Sequence, residues 1–257
     1  MKKVPPEAMN NHLLPNLITE KAEQIIKNFT PGNPFYLHVA TPLVWKSYEY
    51  NKGVQFSMPN YQLKSPAHLL NDTFIERKRQ MAAIQALDEQ VGRIKRALDA
   101  KGISDNTIIA FMSDNGGADL SNPRLEQANH ASNEPLRMGK GNLFEGGVRC
   151  VSFIWSGLFR RRGYVANRLF HVTDWLPTLW EAAGGQRALM RDDLAVDGVS
   201  HWKWLLEGRD KPGPREYLMN KIDSVGNMYA IIREEQDGTL YKMIGGELDT
   251  NVPGFRG

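Results

Sequence analysis

Residues Thr107–Gly117 read TIIAFMSDNGG. The first half is apolar and β-branched, which is the composition of a buried strand. The second half turns abruptly to Ser, Asp, Asn and two glycines. A run this apolar has to lie inside a sheet, and it must then deliver a carboxylate and an amide, on flexible backbone, at the strand's C-terminal end. Ligands of parallel α/β sheets gather at that end. A long helical pattern precedes the strand, from Thr73 to Gly102. It opens on a TFIE capping-box signature and repeats Ile84, Leu87, Val91, Ile94 and Leu98 every three or four residues. A second apolar run, VRCVSFIW at Val148–Trp155, follows a long polar loop spanning Asp114–Glu145. Helix, strand, loop and strand in this order predict an α/β fold with a largely parallel sheet.

The flanks extend this pattern. Leu17, Ala22, Ile25, Ile26 and Phe29 fall on one face of a helix expected over 17–29. NPFYLHVA at Asn33–Ala40 follows a Pro-Gly break and reads as a buried strand. Residues 41–72 show no clear period. TDWLPTLWEAAGG predicts a helix capped at Thr173 or Asp174, with Pro177 in its first turn and Gly184–Gly185 as its stop. Beyond residue 186 the texture changes. REYLMN, MYAIIREE and TLYKMIGG, with a turn at Asp237–Gly238, predict a small antiparallel sheet. The expected division is a main unit over 1–210 and a small C-terminal unit over 211–257. There are no internal repeats.

Composition narrows the class of partner. The 257 residues are 41% hydrophobic and 24% charged, as in an ordinary globular chain. A net charge of +3, from 32 basic and 29 acidic residues, is too even to argue for nucleic acid. The densest basic run, FRRRG at Phe159–Gly163, reads as a solvated patch. No stretch approaches the roughly 18 apolar residues of a membrane span. The N-terminal residues have no apolar core of a signal peptide. Sequons at Asn28 and Asn71 hint at a secretory route.

Two constellations could carry chemistry. Asp114 and Asn115 offer hard oxygen donors suited to Ca²⁺ or Mg²⁺, while the same Asn-Gly sequence also suits a plain turn. Lys140 lies between Gly139 and Gly141 in PLRMGKGNLFEGGVR, where it reads as an anion clamp or as a solvated loop lysine. No Walker pattern is present. The single cysteine, Cys150, sits in an apolar run and reads as a small buried hydrophobe. His12, His38, His68, His130, His171 and His201 show no metal-ligand spacing, and His171 is expected to pack near the start of the second main helix.

FMSDNGG, ASNEPLRMGKGNLFEGGVR, HVTDWLPTLWEAAGG and VDGVSHWKWLLEG occur in that order. Together they resemble the sulfatase family, most closely its arylsulfatase B branch, over roughly residues 13–220. The resemblance implies an alkaline-phosphatase-like α/β fold and hydrolysis of sulfate esters on sulfated sugars or aryl sulfates. It implies that Asp114 and Asn115 are calcium ligands, that Lys140 contacts sulfate oxygens, and that the protein is lysosomal or secreted. In that family a formylglycine nucleophile attacks sulfur, with calcium and lysine stabilising the anion and histidines moving protons.

The departures are specific. The family's Cys-x-Pro/Ala-x-Arg nucleophile motif is not matched, because Cys150 is followed by VSFIW. The paired aspartates that complete the family's metal site are missing from their expected place; the pair Asp192–Asp193 lies far downstream. After FYLHVA the chain passes directly to Thr41–Leu43, without the sulfate-contacting histidine expected there, and His38 does not inherit that role. The expectation is therefore a sulfatase fold incomplete at its N-terminus, a fragment or an inactive chain, with no catalytic residue to assign. A binding protein on the same scaffold, or a phosphate-ester hydrolase of the superfamily, stands as the alternative.

Overall fold

The structure is a computed structural model that describes residues 14–44, 75–118, 131–160, 162–186, 196–207, 212–223 and 228–246. Helix α1 (Leu14–Asn28) lies against α2 (Ile75–Lys101). Ala22 and Ile26 of α1 and Leu98 of α2 are buried, as the apolar periodicity requires. The helix pair also carries a polar staple that the periodicity hides. The Gln90 side-chain amide donates to the Pro15 carbonyl at 2.6 Å and to the Thr19 hydroxyl at 2.8 Å, and that hydroxyl donates to Pro15 at 2.7 Å. Arg93 grips Glu23 with two hydrogen bonds, at 2.9 and 2.6 Å. The arginine bonds hold the Glu23 carboxyl below its usual range. The capping box expected at Thr73 lies outside the described residues.

Strand β1 (Ile108–Met112) is where its sequence puts it, and Asp114 follows its C-terminal end. Its partner β2 (Ser152–Ser156) runs antiparallel, with Ile108 opposite Ser156 and Met112 opposite Ser152. The expected parallel pairing is thus wrong for these two strands. A parallel return needs a crossover to the far end of the sheet. Here the long link closes on itself at the near end, through Ser113 N–H to Val151 O and Gly116 N–H to Gly147 O, both 2.9 Å. The second strand also begins later than expected. Residues Glu145–Val148 form a single helical turn, α3, because Val148 and Arg149 N–H bond back to Phe144 and Glu145. Asn33–Ala40 is a further correction. It forms no strand, and Phe35 and Tyr36 are exposed. Leu37 and Val39 still alternate inward with His38 and Ala40 outward, but no described strand pairs with them. Period-two alternation gives an extended segment; only a neighbour makes it a strand.

Helix α4 (Trp175–Ala182) and the short α5 (Trp202–Glu207) pack behind the β1–β2 sheet. Phe159, Trp202 and Leu205 form a buried cluster against Ile108 and Ile154. The arginines at 160 and 162 stay exposed around buried Phe159, as a solvated patch should. The C-terminal strands β3 (Tyr217–Asp223), β4 (Met228–Glu234) and β5 (Leu240–Gly246) form the expected antiparallel sheet. Leu218 and Ile232 on its inner face meet Leu169 in a second core, while Tyr217, Met219, Tyr241 and Met243 face outward. The Asp237–Gly238 turn joins β4 to β5, with Gly238 at φ 85° and the Asp237 carboxylate accepting Thr239 N–H at 2.8 Å.

Among the described residues, Asp174 carries the most side-chain hydrogen bonds. Sequence reasoning offered it as a helix cap. Instead it is fully buried and accepts from Arg215 Nε and Nη2 at 2.8 and 2.5 Å, from Val199 and His171 N–H at 2.8 Å, and from His201 Nε2 at 3.2 Å. The cap role passes to His171, whose ring accepts Thr173 N–H. Asp174 therefore ties α4, α5 and the lead-in to β3 at one point. Its burial would raise its pKa, but the bonds from His201, Arg215 and the two backbone N–H groups outweigh burial and hold the carboxyl far below its ordinary 3.8. A depressed carboxyl stabilises the fold above its unfolded pKa and loses that contribution as pH falls toward the folded one.

Asp174→Asn should lower unfolding stability by about 3 kcal/mol at neutral pH, because Arg215 is left buried without its counter-charge. It should also flatten the acid limb below about pH 4. Chemical denaturation across pH checks both; an unchanged acid limb would show that Asp174 does not couple to folding.

Candidate anion- and metal-binding site

Two loops meet at the C-terminal end of β1. The first carries Asp114–Asn115–Gly116–Gly117; the second runs from Asn133 to Gly147 and carries Lys140. Their contact is backbone on backbone. Lys140 N–H donates to Gly117 O and Gly116 N–H to Gly147 O, both at 2.9 Å, while Gly146 N–H closes the second loop on itself at Arg137 O, 2.8 Å away. The Asn133 side chain closes the set, accepting from Gly117 N–H at 2.8 Å and donating to Gly117 O at 3.0 Å.

The glycines are there because nothing larger fits. A Cβ on Gly116 would stand 1.8 Å from Gly146 O, and one on Gly146 would stand 1.8 Å from Met138 O. A Cβ on Gly147 would fall 2.3 Å from Asn142 O. These neighbours are carbonyls of the main chain, so no rotamer change relieves the clash. Met138 adds strain of its own: it is buried at φ 63°, a left-handed conformation rare for a long side chain. Arg137 lies over the Phe144 ring at 4.5 Å and braces the two limbs of the lysine loop.

The interlock thus joins the two loops that carry the residues sequence analysis singled out separately. Asp114 is exposed and Asn115 half-buried, and the Asn115 amide nitrogen donates to Gly116 O at 2.7 Å. That bond engages the amide nitrogen and leaves the amide oxygen out of it. Lys140 is half-buried on a glycine-flanked loop. For calcium the donor chemistry fits, since a carboxylate and an amide oxygen are hard ligands. The number of donors does not reach the six to eight oxygens that Ca²⁺ prefers. Among the described residues no group of three or more His, Cys, Asp and Glu could hold a metal. The downstream pair Asp192–Asp193 lies outside the described residues.

Cys150 sits beside this site. Burial pushes its thiol up, a hydrogen bond with Ser113 works against that, and the nearby Asp114 charge raises it further. These effects leave the thiol less acidic than an ordinary cysteine, unlike an activated thiolate. His38 is exposed and meets Tyr36 OH at 3.3 Å, in keeping with a surface histidine. His171 does pack at the start of α4, as expected. His201, which sequence spacing gave no role, is buried against Asp174. Its signal is the VDGVSHW run, in which Val199 and His201 both reach that carboxylate.

Gly116→Ala should destabilise the protein by about 3 kcal/mol or displace the lysine loop. Gly92→Ala, the same chemical change inside α2 against a movable Arg96 side chain, should be neutral or stabilising by up to about 1 kcal/mol. Thermal unfolding of the two variants checks the contrast; equal effects would mean that the interlock is not tight.

Comparison with known proteins agrees with this architecture. The Sulfatase family model matches residues 2–185. Arylsulfatase J of Mus musculus is 32% identical over 81% of this chain and 31% of its own length. N-acetylgalactosamine-6-sulfatase of Homo sapiens is 34% identical over 53% of the chain and 25% of its own length. The crystal structure of Ps i-CgsB superposes with a TM-score of 0.63 at 23% identity, over 90% of this chain and 48% of that one. The same protein has been solved in complex with k-i-k-neocarrahexaose. The chain spans about a third or less of the length of these curated relatives, and about half of the solved structure. It carries the corresponding part of the alkaline-phosphatase-like fold, and it belongs to the sulfatase family.

Proposed function

We propose that the interlocked loops form the anion- and metal-binding half of a sulfate-ester hydrolase site, of the arylsulfatase B-like kind. The observation that carries this is the Lys140 N–H to Gly117 O bond, which fixes the lysine loop onto the Asp-Asn loop. In this reading the Lys140 ammonium binds the sulfate oxygens of a sulfated sugar or aryl sulfate. The Asp114 carboxylate and the Asn115 amide oxygen supply two ligands to Ca²⁺. Bound there, the cation would neutralise negative charge on the ester. The residues of this chain then bind and orient a sulfate group, and none of them supplies a nucleophile.

The lack of a Cys-x-Pro/Ala-x-Arg motif in the sequence supports that last point. We therefore read the chain as inactive on its own, a fragment of a sulfatase or a sulfate-binding protein on a sulfatase scaffold. A phosphate-ester hydrolase is the weaker reading, since the curated relatives reported above are sulfatases. The division at residue 210 belongs to the same proposal, with 211–257 as a unit that packs onto the site-bearing part. No helix among the described residues is long and apolar enough to cross a membrane. A lysosomal or secreted location fits the family, and Asn28, exposed at the end of α1, could carry a glycan. Asn71 lies outside the described residues.

Residues 1–257 should show no turnover of an activated aryl sulfate above background, with or without Ca²⁺, because removing a nucleophile costs most of a concerted site's rate. Turnover that Lys140→Ala abolishes would contradict this. Calorimetry should find Ca²⁺ binding no tighter than about 10⁻³ M, as befits two protein ligands. Tight stoichiometric binding lost in Asp114→Ala would reveal further ligands.

A further inference from the structure

We infer that Lys242, on the C-terminal sheet, is a positioning residue for the anion site, acting through Glu145; the inference rests on the reading of the Lys140 loop given above. Lys242 shares a rung with Leu218 and Ile232 on the sheet's inner face. Those two neighbours are buried in the apolar core with Leu169. A lysine on such a face is costly unless its charge is met. Among the described residues no carboxylate of its own sheet meets it. Its ammonium instead lies 2.7 Å from Glu145 Oε1, 97 residues away in the chain, and its side chain is only 16% exposed.

Glu145 is the residue that opens the α3 turn, and the next two residues are the interlock itself. Gly146 N–H holds Arg137 O, three residues before Lys140, and Gly147 O receives Gly116 N–H, two residues after Asp114. Any rotation of the α3 turn moves both bonds. Because Gly116 and Gly146 already touch main chain to main chain, the turn has little room to shift without disturbing the Lys140 loop. The Lys242–Glu145 pair therefore sets the register of the turn from outside. It makes the C-terminal sheet part of the sulfate site although none of its strands carries a ligand. Lys242 is a positioning residue in this account; it does not touch the anion.

The test uses the full chain, inorganic sulfate as the probe and NMR as the readout. Lys242→Met keeps the stem and removes the charge. It should weaken sulfate binding about fivefold, the scale of one partly exposed ion pair. The charge swap E145K/K242E should restore affinity to within about twofold. A merely structural tether would lower stability without this rescue of affinity. Glu145→Gln, at the more exposed partner, serves if Lys242→Met does not fold. Sulfate affinity unchanged in Lys242→Met, or lost and not restored in the swap, overturns the inference. If the parent chain binds no sulfate, or Lys140→Ala leaves binding unchanged, the reading of the site fails on its own account. Amide exchange then decides the positioning role separately. Gly116 and Gly146 N–H should exchange about fivefold faster in Lys242→Met and recover in the swap, while Ala230 at the centre of β4 stays unchanged. Unaltered exchange at both glycines overturns the inference.

Discussion

Gly116 and Gly146 meet without side chains between them, and the arrangement of the site follows from that contact. The carbonyl of Gly146 occupies the space a Cβ on Gly116 would need, and the carbonyl of Met138 occupies the space a Cβ on Gly146 would need. Three loop segments are thereby stacked at main-chain distance. Hydrogen bonds from Gly116, Gly146 and Lys140 then satisfy backbone groups that a polar loop would otherwise give to water. The contact also dictates sheet topology. Because the link between β1 and β2 is pinned at the end where β1 stops, β2 can only return antiparallel.

A second fastening operates at a distance from the first. Asp174 draws in a guanidinium, an imidazole and two backbone N–H groups, and so locks α4, α5 and the approach to β3 together. A buried carboxylate is tolerable only when its lone pairs are filled, and here they are. The C-terminal sheet is therefore attached through Arg215 to Asp174, through Arg168 to Glu234, through Lys242 to Glu145, and through the apolar contact of Leu169 with Leu218 and Ile232. One of these attachments, from Lys242 to Glu145, reaches an element that borders the site. The sheet thus serves the glycine interlock as well as its own core.

Much of this was legible from local pattern. The β1 strand, the α2 helix, the Gly184–Gly185 stop and the three C-terminal strands all follow from period, caps and turn residues, which act over a few positions. What sequence missed acts over many. Gln90 drew no expectation, because its partners, Pro15 and Thr19, lie on another helix. Asp174 looked like a cap because Arg215 is 41 residues away. Asn33–Ala40 has a strand's alternation and no described strand beside it. The parallel pairing failed because strand direction is set by where a link closes, and the closing contact between Gly116 and Gly147 leaves no local signature beyond the glycines themselves. Asp114, Asn115 and Lys140 were singled out from two separate motifs; their meeting in one loop pair is visible only in the fold.

The central claim is that the Lys140 loop and the Asp114–Asn115 loop make one oxyanion site. A crystal structure with selenate in place of sulfate, located by its anomalous scattering, tests it most directly. The account predicts selenate within hydrogen-bond distance of Lys140 Nζ at the C-terminal end of β1, with the Gly117–Lys140 backbone bond intact. Selenate bound elsewhere, with Lys140 turned away from the Asp114–Asn115 loop, would contradict it.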